Sequence, residues 1–163
     1  MTAPFERAYI GLGANLGDAR AALEAACAAL AALPSTRWVA RSGWYRSAPV
    51  DSSGPDYLNG VAAIDTALAP LVLLDALQAI EADHGRERPY RNAPRTLDLD
   101  LLLYGEQALD TPRLTLPHPR AHLRAFVLLP MAELLTAGGV WPGRGPLDQL
   151  LMCVADQRVE RLS

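Results

Sequence analysis

Two aspartates two residues apart, Asp98 and Asp100, stand within the run Leu97-Asp98-Leu99-Asp100-Leu101. On a β-strand, side chains at i and i+2 share a face and lie about 6.6 Å apart along the chain. The two carboxylates therefore point one way, and Leu97, Leu99 and Leu101 the other. Unpaired carboxylates on a strand buried on both faces are costly. A divalent cation offsets their repulsion, and Mg²⁺ commonly takes one or two carboxylates and fills its other positions with water and substrate phosphate oxygens. Four arginines, Arg86, Arg88, Arg91 and Arg95, precede the pair in a segment broken by Pro89 and Pro94. Guanidinium forks bind phosphate oxygens bidentately and stay charged. Acids that hold metal beside forks that hold phosphate are what phosphoryl transfer requires. The plainer alternative is that these arginines pair with Asp83, Glu87, Asp98 and Asp100 as structural ion pairs. Proline punctuation favours a loop that closes over a ligand.

Other residues could contribute. His118 is held between Pro117 and Pro119, near Arg120 and Arg124, and suits a phosphate contact, although a lone histidine is more often structural. Tyr57 and Asn59 share a strand face and could stack a planar heterocycle and read its edge, or be an ordinary strand-edge tyrosine beside a turn asparagine. The glycines of Gly11-Leu12-Gly13-Ala14-Asn15 could cradle phosphate, but a short glycine turn is a weak signal.

The composition narrows the chemistry. The chain has 163 residues, half of them hydrophobic, which suits one domain over 1–163 with a real core. Its 15 basic residues are all arginine, so P-loop lysine, kinase lysine and Schiff-base chemistries are excluded. A formal net charge of -3 argues against generic nucleic-acid binding. Cys27 and Cys153 match no CxxC spacing. The first residues lack a signal-peptide pattern, and the longest apolar runs fall short of the ~20 residues of a membrane helix. The expectation is a cytoplasmic protein with no membrane or nucleic-acid partner.

The elements that must position these groups follow from periodicity. Residues 7–12 read as a strand, and Gly11, Gly13, Asn15 and Gly17 as a flexible turn. Asp18 suits the N-cap of a helix to about residue 33, with Leu23, Cys27 and Leu30 inward. Residues 36–48 read as one long strand, 51–56 as a loop and 59–65 as a further strand. Pro70 opens a second helix whose stripe is Leu73, Leu74, Leu77 and Ile80, with Gly85 at its end. Residues 97–104 form a strand and 114–119 a short extended piece. Residues 122–135 read as a helix interrupted by Pro130, 138–146 as a loop and 147–154 as a final short helix. The order predicts an α+β fold, a ferredoxin-like βαββαβ core with C-terminal helical additions forming an α/β sandwich.

The segment Arg91-Asn92-Ala93-Pro94-Arg95-Thr96-Leu97-Asp98-Leu99-Asp100-Leu101-Leu102 resembles the signature of the 6-hydroxymethyl-7,8-dihydropterin pyrophosphokinases, enzymes of the folate pathway. Other stretches are similar in order: Ala8 to Gly17, Trp44-Tyr45-Arg46-Ser47 with Pro49, Pro55-Asp56-Tyr57-Leu58-Asn59-Gly60, Ile80-Glu81 before Gly85-Arg86, and Leu116-Pro117-His118-Pro119 before Arg124-Ala125-Phe126. The resemblance implies transfer of pyrophosphate from ATP to the pterin hydroxymethyl group, releasing AMP. It implies two Mg²⁺ ions on Asp98 and Asp100, and catalytic roles for Arg86 and Arg95 beside them. It implies ATP contacts at Gln78, Glu81, Arg88, Leu101, Arg113, Thr115, His118 and Arg124. It implies a pterin between Tyr57 and Phe126, read by Asn59 and lined by Ser47, Ala48, Pro49 and Val50, in a monomer.

Two other readings compete. A nucleotidyltransferase also uses paired strand aspartates with two metals, but releases pyrophosphate instead of AMP. A non-enzymatic ferredoxin-like binding module, of the kind that binds RNA, needs an aromatic strand motif, and the chain has only two phenylalanines, Phe5 and Phe126.

Overall fold

Strand β1 (Glu6–Ala14) alternates strictly: Ala8, Ile10, Leu12 and Ala14 are buried on one face, and Tyr9, Gly11 and Gly13 take the other. That alternation carries through a computed structural model, which describes residues 4–14, 19–47, 56–85, 97–135 and 139–162. Helix α1 (Ala19–Ala31) and strands β2 (Thr36–Arg41) and β3 (Tyr45–Ser47) follow, then β4 (Tyr57–Thr66), α2 (Pro70–Gly85) and β5 (Asp98–Tyr104). The main sheet is antiparallel and runs β5, β1, β4, β3, with β2 also on β4. Each of α1 and α2 therefore joins strands that are next but one in the sheet. The fold is α+β.

Two apolar cores lie on opposite faces of this sheet. Leu23, Ala26 and Leu30 of α1 and Leu73, Leu77 and Ile80 of α2 cover Ile10, Leu12, Ala62, Ile64, Leu99 and Leu101. Cys27 and Leu74 are only partly buried against this core, because Ala26 and Leu73 take the inward positions. On the other face, α3 (Ala125–Leu134) and the C-terminal segment cover Tyr9, Val61, Ala63, Leu102 and Leu103. Helices thus cover both faces of the sheet.

Several local expectations change. Gly11 and Gly13 belong to β1 instead of a turn, since each is paired on both sides, to β4 and to β5. The long strand over 36–48 is broken at residues 42–44. There the Ser42 hydroxyl accepts the Val61 N–H at 2.9 Å, and the Ser42 N–H donates to the Val61 carbonyl at 2.9 Å, so a side chain stands in for part of the ladder. Residues 121–123 form a 3-10 turn, separated from α3 by Arg124. Pro130 lies inside α3 without interrupting it, because Val127, Leu128 and Met131 anchor the helix in the second core. Asp18 lies outside the described residues.

The C-terminal additions are more than helical. Residues 140–146 form a hairpin, β8 (Val140–Trp141) with β9 (Gly145–Pro146), whose turn holds Gly143 at φ 76° and whose second strand opens on Gly145 at φ 106°. A short hairpin of β6 (Leu109–Asp110) and β7 (Thr115–Leu116) precedes α3. Helix α4 (Leu147–Cys153) leads to β10 (Val159–Arg161), which pairs with β3 and becomes the far edge of the main sheet. Fully buried Trp141 anchors this segment in the second core.

A polar cluster fastens β10. Glu133 on α3 accepts hydrogen bonds from the Tyr45 hydroxyl, from the Gly43 N–H at 3.0 Å and from Arg161 at 3.3 Å. Burial pushes the Tyr45 phenol up, and its bond to Glu133 adds to this, reaching about 12, so it remains a donor. Burial also pushes the Glu133 carboxyl up, but the bonds from Arg161, Tyr45 and Gly43 outweigh it and hold the group below the usual carboxylate value. A depressed carboxyl stabilises the fold above its unfolded pKa, and the contribution disappears as pH falls through its folded pKa. Glu133→Gln should lower stability at neutral pH by about 1–2 kcal/mol. Urea titrations of both proteins at neutral and strongly acidic pH should show that difference shrinking in acid.

Candidate active site

The second face of the sheet changes character along its length. One half is sealed by Tyr9, Val61, Ala63, Leu102 and Leu103 under α3. The other half carries Asp98 and Asp100 on β5, Gly13 and Gly11 on β1, Asn59 and Tyr57 on β4, and Ser47 on β3. In the register, Gly13 stands between Asp98 and Asn59, and Gly11 between Asp100 and Val61. Among the described residues, a Cβ on Gly13 would meet the Asn59 Oδ1, at 3.5 Å, whereas one on Gly11 would meet the Leu102 side chain at 3.3 Å. Among the described residues it is therefore Gly13 that leaves an open floor, beside Asp98, and Leu102 fills the space over Gly11. Asp98 is half-buried and Asp100 exposed, while Leu99 and Leu101 are buried on the opposite face, as the spacing predicts.

Strand β5 is an edge strand there, and two contacts hold it. The Leu99 N–H, between the aspartates, donates to the Glu81 carboxylate of α2 at 2.8 Å. Further along, the pairing of β1 with β5 shifts register between Tyr9 and Ile10, so Leu102 is an extra residue and both Leu102 and Leu103 reach the second core. Bulges of this kind re-aim neighbouring side chains. The Leu102 carbonyl accepts the His118 N–H at 2.9 Å, which seats His118 beside the acidic strand.

A cavity of about 240 Å³ opens at this edge, lined by Asp100, Leu101, Arg113, Thr115 and His118 among others. Arg113, at the tip of the β6–β7 hairpin, pairs with Asp75 and reaches the Gln78 Oε1 at 3.4 Å, so hairpin and α2 meet across the cavity rim. The His118 Nδ1 accepts the N–H groups of Arg120 and Ala121, both at 3.1 Å. The remaining proton is then on Nε2. Burial depresses the His118 pKa, with Arg124 and Arg120 adding to this against the pull of Asp100. The depressed pKa favours the neutral ring, and its Nε2–H is a hydrogen-bond donor.

A second cavity, of about 570 Å³, is lined by Ser47, Arg120, Leu123, Arg124, Phe126, Gln157, Arg158 and Val159. The Arg124 guanidinium carbon lies 5.7 Å from the centre of the Phe126 ring. Asn59 is buried, and its Nδ2 donates to the Ser47 hydroxyl at 2.7 Å, which fixes the amide on the sheet face. Tyr57 pairs directly with Ser47.

The expected residues thus converge on one end of the sheet: Asp98, Asp100, Ser47, Tyr57 and Asn59 on its face, and Gln78, Glu81, Leu101, Arg113, Thr115, His118, Arg124 and Phe126 around it. Arg86, Arg88, Arg95, Ala48, Pro49 and Val50 lie outside the described residues. Gln157, Arg158 and Val159 are additional wall residues that sequence reading missed. They belong to a polar C-terminal stretch with no hydrophobic period, and tertiary contacts, among them the pairing of β10 with β3, bring them in.

The donor set suits a hard divalent cation that shares its shell with phosphate. Among the described residues there is no cluster of three or more His, Cys, Asp or Glu that could hold a metal. Mg²⁺ needs only one or two carboxylates when phosphate and water supply the rest, and the open glycine floor leaves room for both.

Residues 9–136 match the family model described as 7,8-dihydro-6-hydroxymethylpterin-pyrophosphokinase (HPPK). The chain is 51% identical over 158 residues to the 2-amino-4-hydroxy-6-hydroxymethyldihydropteridine pyrophosphokinase of Pseudomonas aeruginosa, covering 96% of this chain and 97% of that protein. It is 43% identical over 157 residues to the Haemophilus influenzae protein of the same name, covering 96% and 98%. Among solved structures, Plasmodium falciparum HPPK-DHPS with pterin and p-hydroxybenzoate is similar in fold, with a TM-score of 0.70 at 12% identity. That similarity spans 93% of this chain but only 44% of the longer one. The chain belongs to the 7,8-dihydro-6-hydroxymethylpterin-pyrophosphokinase family.

Proposed function

We propose that this chain transfers the terminal diphosphoryl group of ATP to the hydroxymethyl group of 6-hydroxymethyl-7,8-dihydropterin and releases AMP. The observation that carries this reading is the pair Asp98 and Asp100 on an open sheet face with one cavity on either side. The pterin hydroxymethyl oxygen forms a bond to the β-phosphorus, the bond from that phosphorus to the α,β-bridging oxygen breaks, and AMP departs with the bridging oxygen. The hydroxyl proton is lost to solvent or to a phosphate oxygen.

In this reading the β5-edge cavity takes the nucleotide. Arg113, Thr115 and the His118 Nε2–H supply donors to it, with Gln78 on its rim, and Arg124 reaches the phosphates from the other side. Arg86, Arg88 and Arg95 supply further forks. Two Mg²⁺ ions held by Asp98 and Asp100 would neutralise the phosphate charge and orient its oxygens. The Glu81 carboxylate, by holding the Leu99 N–H, keeps the backbone between the two aspartates straight. The pterin lies on the glycine floor, with Tyr57 and Phe126 offering ring faces and Asn59 reading its edge, as Ser47 keeps that amide oriented.

The decisive assay supplies ATP, the pterin and Mg²⁺ and resolves the products: AMP is expected, and release of inorganic pyrophosphate would replace this reading with nucleotidyl transfer. Asp98→Asn and Asp100→Asn should each reduce turnover about a hundredfold or more, with the fold intact by circular dichroism. Gly13→Ala should keep turnover near that of the parent, because its Cβ finds ordinary contact distance, whereas Gly13→Val should lose most of it by filling the floor between Asp98 and Asn59. Phe126→Ala should weaken pterin binding roughly tenfold while sparing ATP, measured by calorimetric titration of each. Asn59→Ala should lower the preference for the pterin over rings with a different edge, read as a ratio of kcat/KM values.

A further inference from the structure

The short stretch 123–126 carries two groups of the second cavity, Arg124 and Phe126, and its backbone is a junction between two helices. The 3-10 turn ends at Leu123, and α3 begins at Ala125. Arg124 is extended between them, at φ -121° and ψ 120°, and its side chain makes no capping hydrogen bond. A helix start leaves N–H groups without partners and a helix end leaves carbonyls, so this junction has groups of both kinds to satisfy.

Gln157 satisfies one of each. Its Oε1 accepts the Ala125 N–H at 2.9 Å, and its Nε2 donates to the Leu123 carbonyl at 2.9 Å. A primary amide is the side-chain group that offers an acceptor and a donor side by side without charge. Gln157 is itself fixed. Its backbone N–H donates to the Val154 carbonyl at 3.0 Å, Val154 is buried, and Val159 two residues on is paired with Ser47. The amide therefore spans Arg124 from a rigid base, and Gln157 lines the same cavity as Arg124 and Phe126. It also lies beyond the residues 9–136 that the family model matches.

From this juxtaposition we infer that Gln157 is a positioning residue: it clamps the backbone on both sides of Arg124, and so sets where the Arg124 guanidinium and the Phe126 ring meet the substrates. The inference rests on the proposed pyrophosphoryl transfer for its kinetic readout, and on the hydrogen bonds alone for its structural one. Small misplacements of binding groups are costly in turnover, because reacting atoms must be held within a narrow range of distance.

The test compares the full chain with Gln157→Leu, Gln157→Glu, Arg124→Ala and the double variant Gln157→Leu/Arg124→Ala. Gln157→Leu keeps the size and removes both hydrogen bonds. It should lower kcat/KM for the pterin about tenfold to a hundredfold. Gln157→Glu keeps the acceptor for the Ala125 N–H and should recover part of that loss. In the double variant, the combined loss should be clearly smaller than the product of the two single losses, since part of the clamp's effect acts through Arg124 and the rest through Phe126. Amide exchange at Ala125 should speed up in Gln157→Leu while amides of the sheet core keep their protection. A Gln157→Leu protein that melts lower but retains kcat/KM for the pterin, or whose loss simply multiplies that of Arg124→Ala, would assign Gln157 to stability alone and overturn the inference. Unchanged Ala125 exchange would overturn it too. Failure of the parent chain to produce AMP would instead count against the proposed reaction, and the exchange measurement would still decide the clamp.

Discussion

Two carboxylates on one face of a sheet cannot be covered by an apolar layer, and the rest of the molecule is arranged around that constraint. The second face of the sheet is divided. Where β5 carries Leu102 and Leu103, α3 and Trp141 seal it, and where β5 carries Asp98 and Asp100, no apolar layer among the described residues covers it. The bulge at Leu102 marks the change. It delivers two consecutive leucines to the core and a carbonyl to His118, which turns the following segment back toward the acidic end. Gly13 extends the opening across β1, so that among the described residues the floor beside Asp98 is backbone and the next side chain across is Asn59, while Leu102 covers Gly11.

Around that opening, polar side chains act mainly by holding backbone. Glu81 takes the N–H between the two aspartates, Ser47 takes the Asn59 amide, the His118 Nδ1 takes two N–H groups of the turn that follows it, and Gln157 bridges the helix junction at Arg124. Each such bond contributes about 1 kcal/mol to stability in net terms. Their larger consequence is geometric, because a site for a flat ring and a polyphosphate depends on where a few donors and ring faces stand. His118 illustrates this: the bonds to its Nδ1 leave the Nε2–H as the outward donor, and its depressed pKa favours the neutral ring. Its role as a directed donor follows from its neighbours more than from its charge.

Much of this was legible in the residues. The i, i+2 spacing of Asp98 and Asp100 on an alternating strand placed them together and their leucine neighbours opposite, because strand periodicity depends only on local backbone geometry. Helices α1 and α2 were legible from their apolar stripes, and the α+β order from the sequence of elements. The resemblance of the segment 91–102 and its companions pointed to the family that the comparisons show.

What the sequence alone determined was therefore local and periodic: which residues are strand, which helix, and which side chains share a face. Tertiary structure decided what depends on pairing between distant segments. Gly11 and Gly13 read as a turn because glycine is permissive, yet they lie in β1 because β4 and β5 pair them on both sides. Residues 36–48 read as one strand, but Ser42 breaks it through a bond to Val61 that has no local signature. The strand β10 is three residues long and has no apolar alternation, so nothing within it predicts its place. Pairing with β3, the Glu133 cluster and the anchoring of Trp141 bring it to the sheet edge, and with it Gln157 to the Arg124 junction. Hydrogen-bond partners more than thirty residues away leave no periodic trace in the chain, and only the folded arrangement chooses among them.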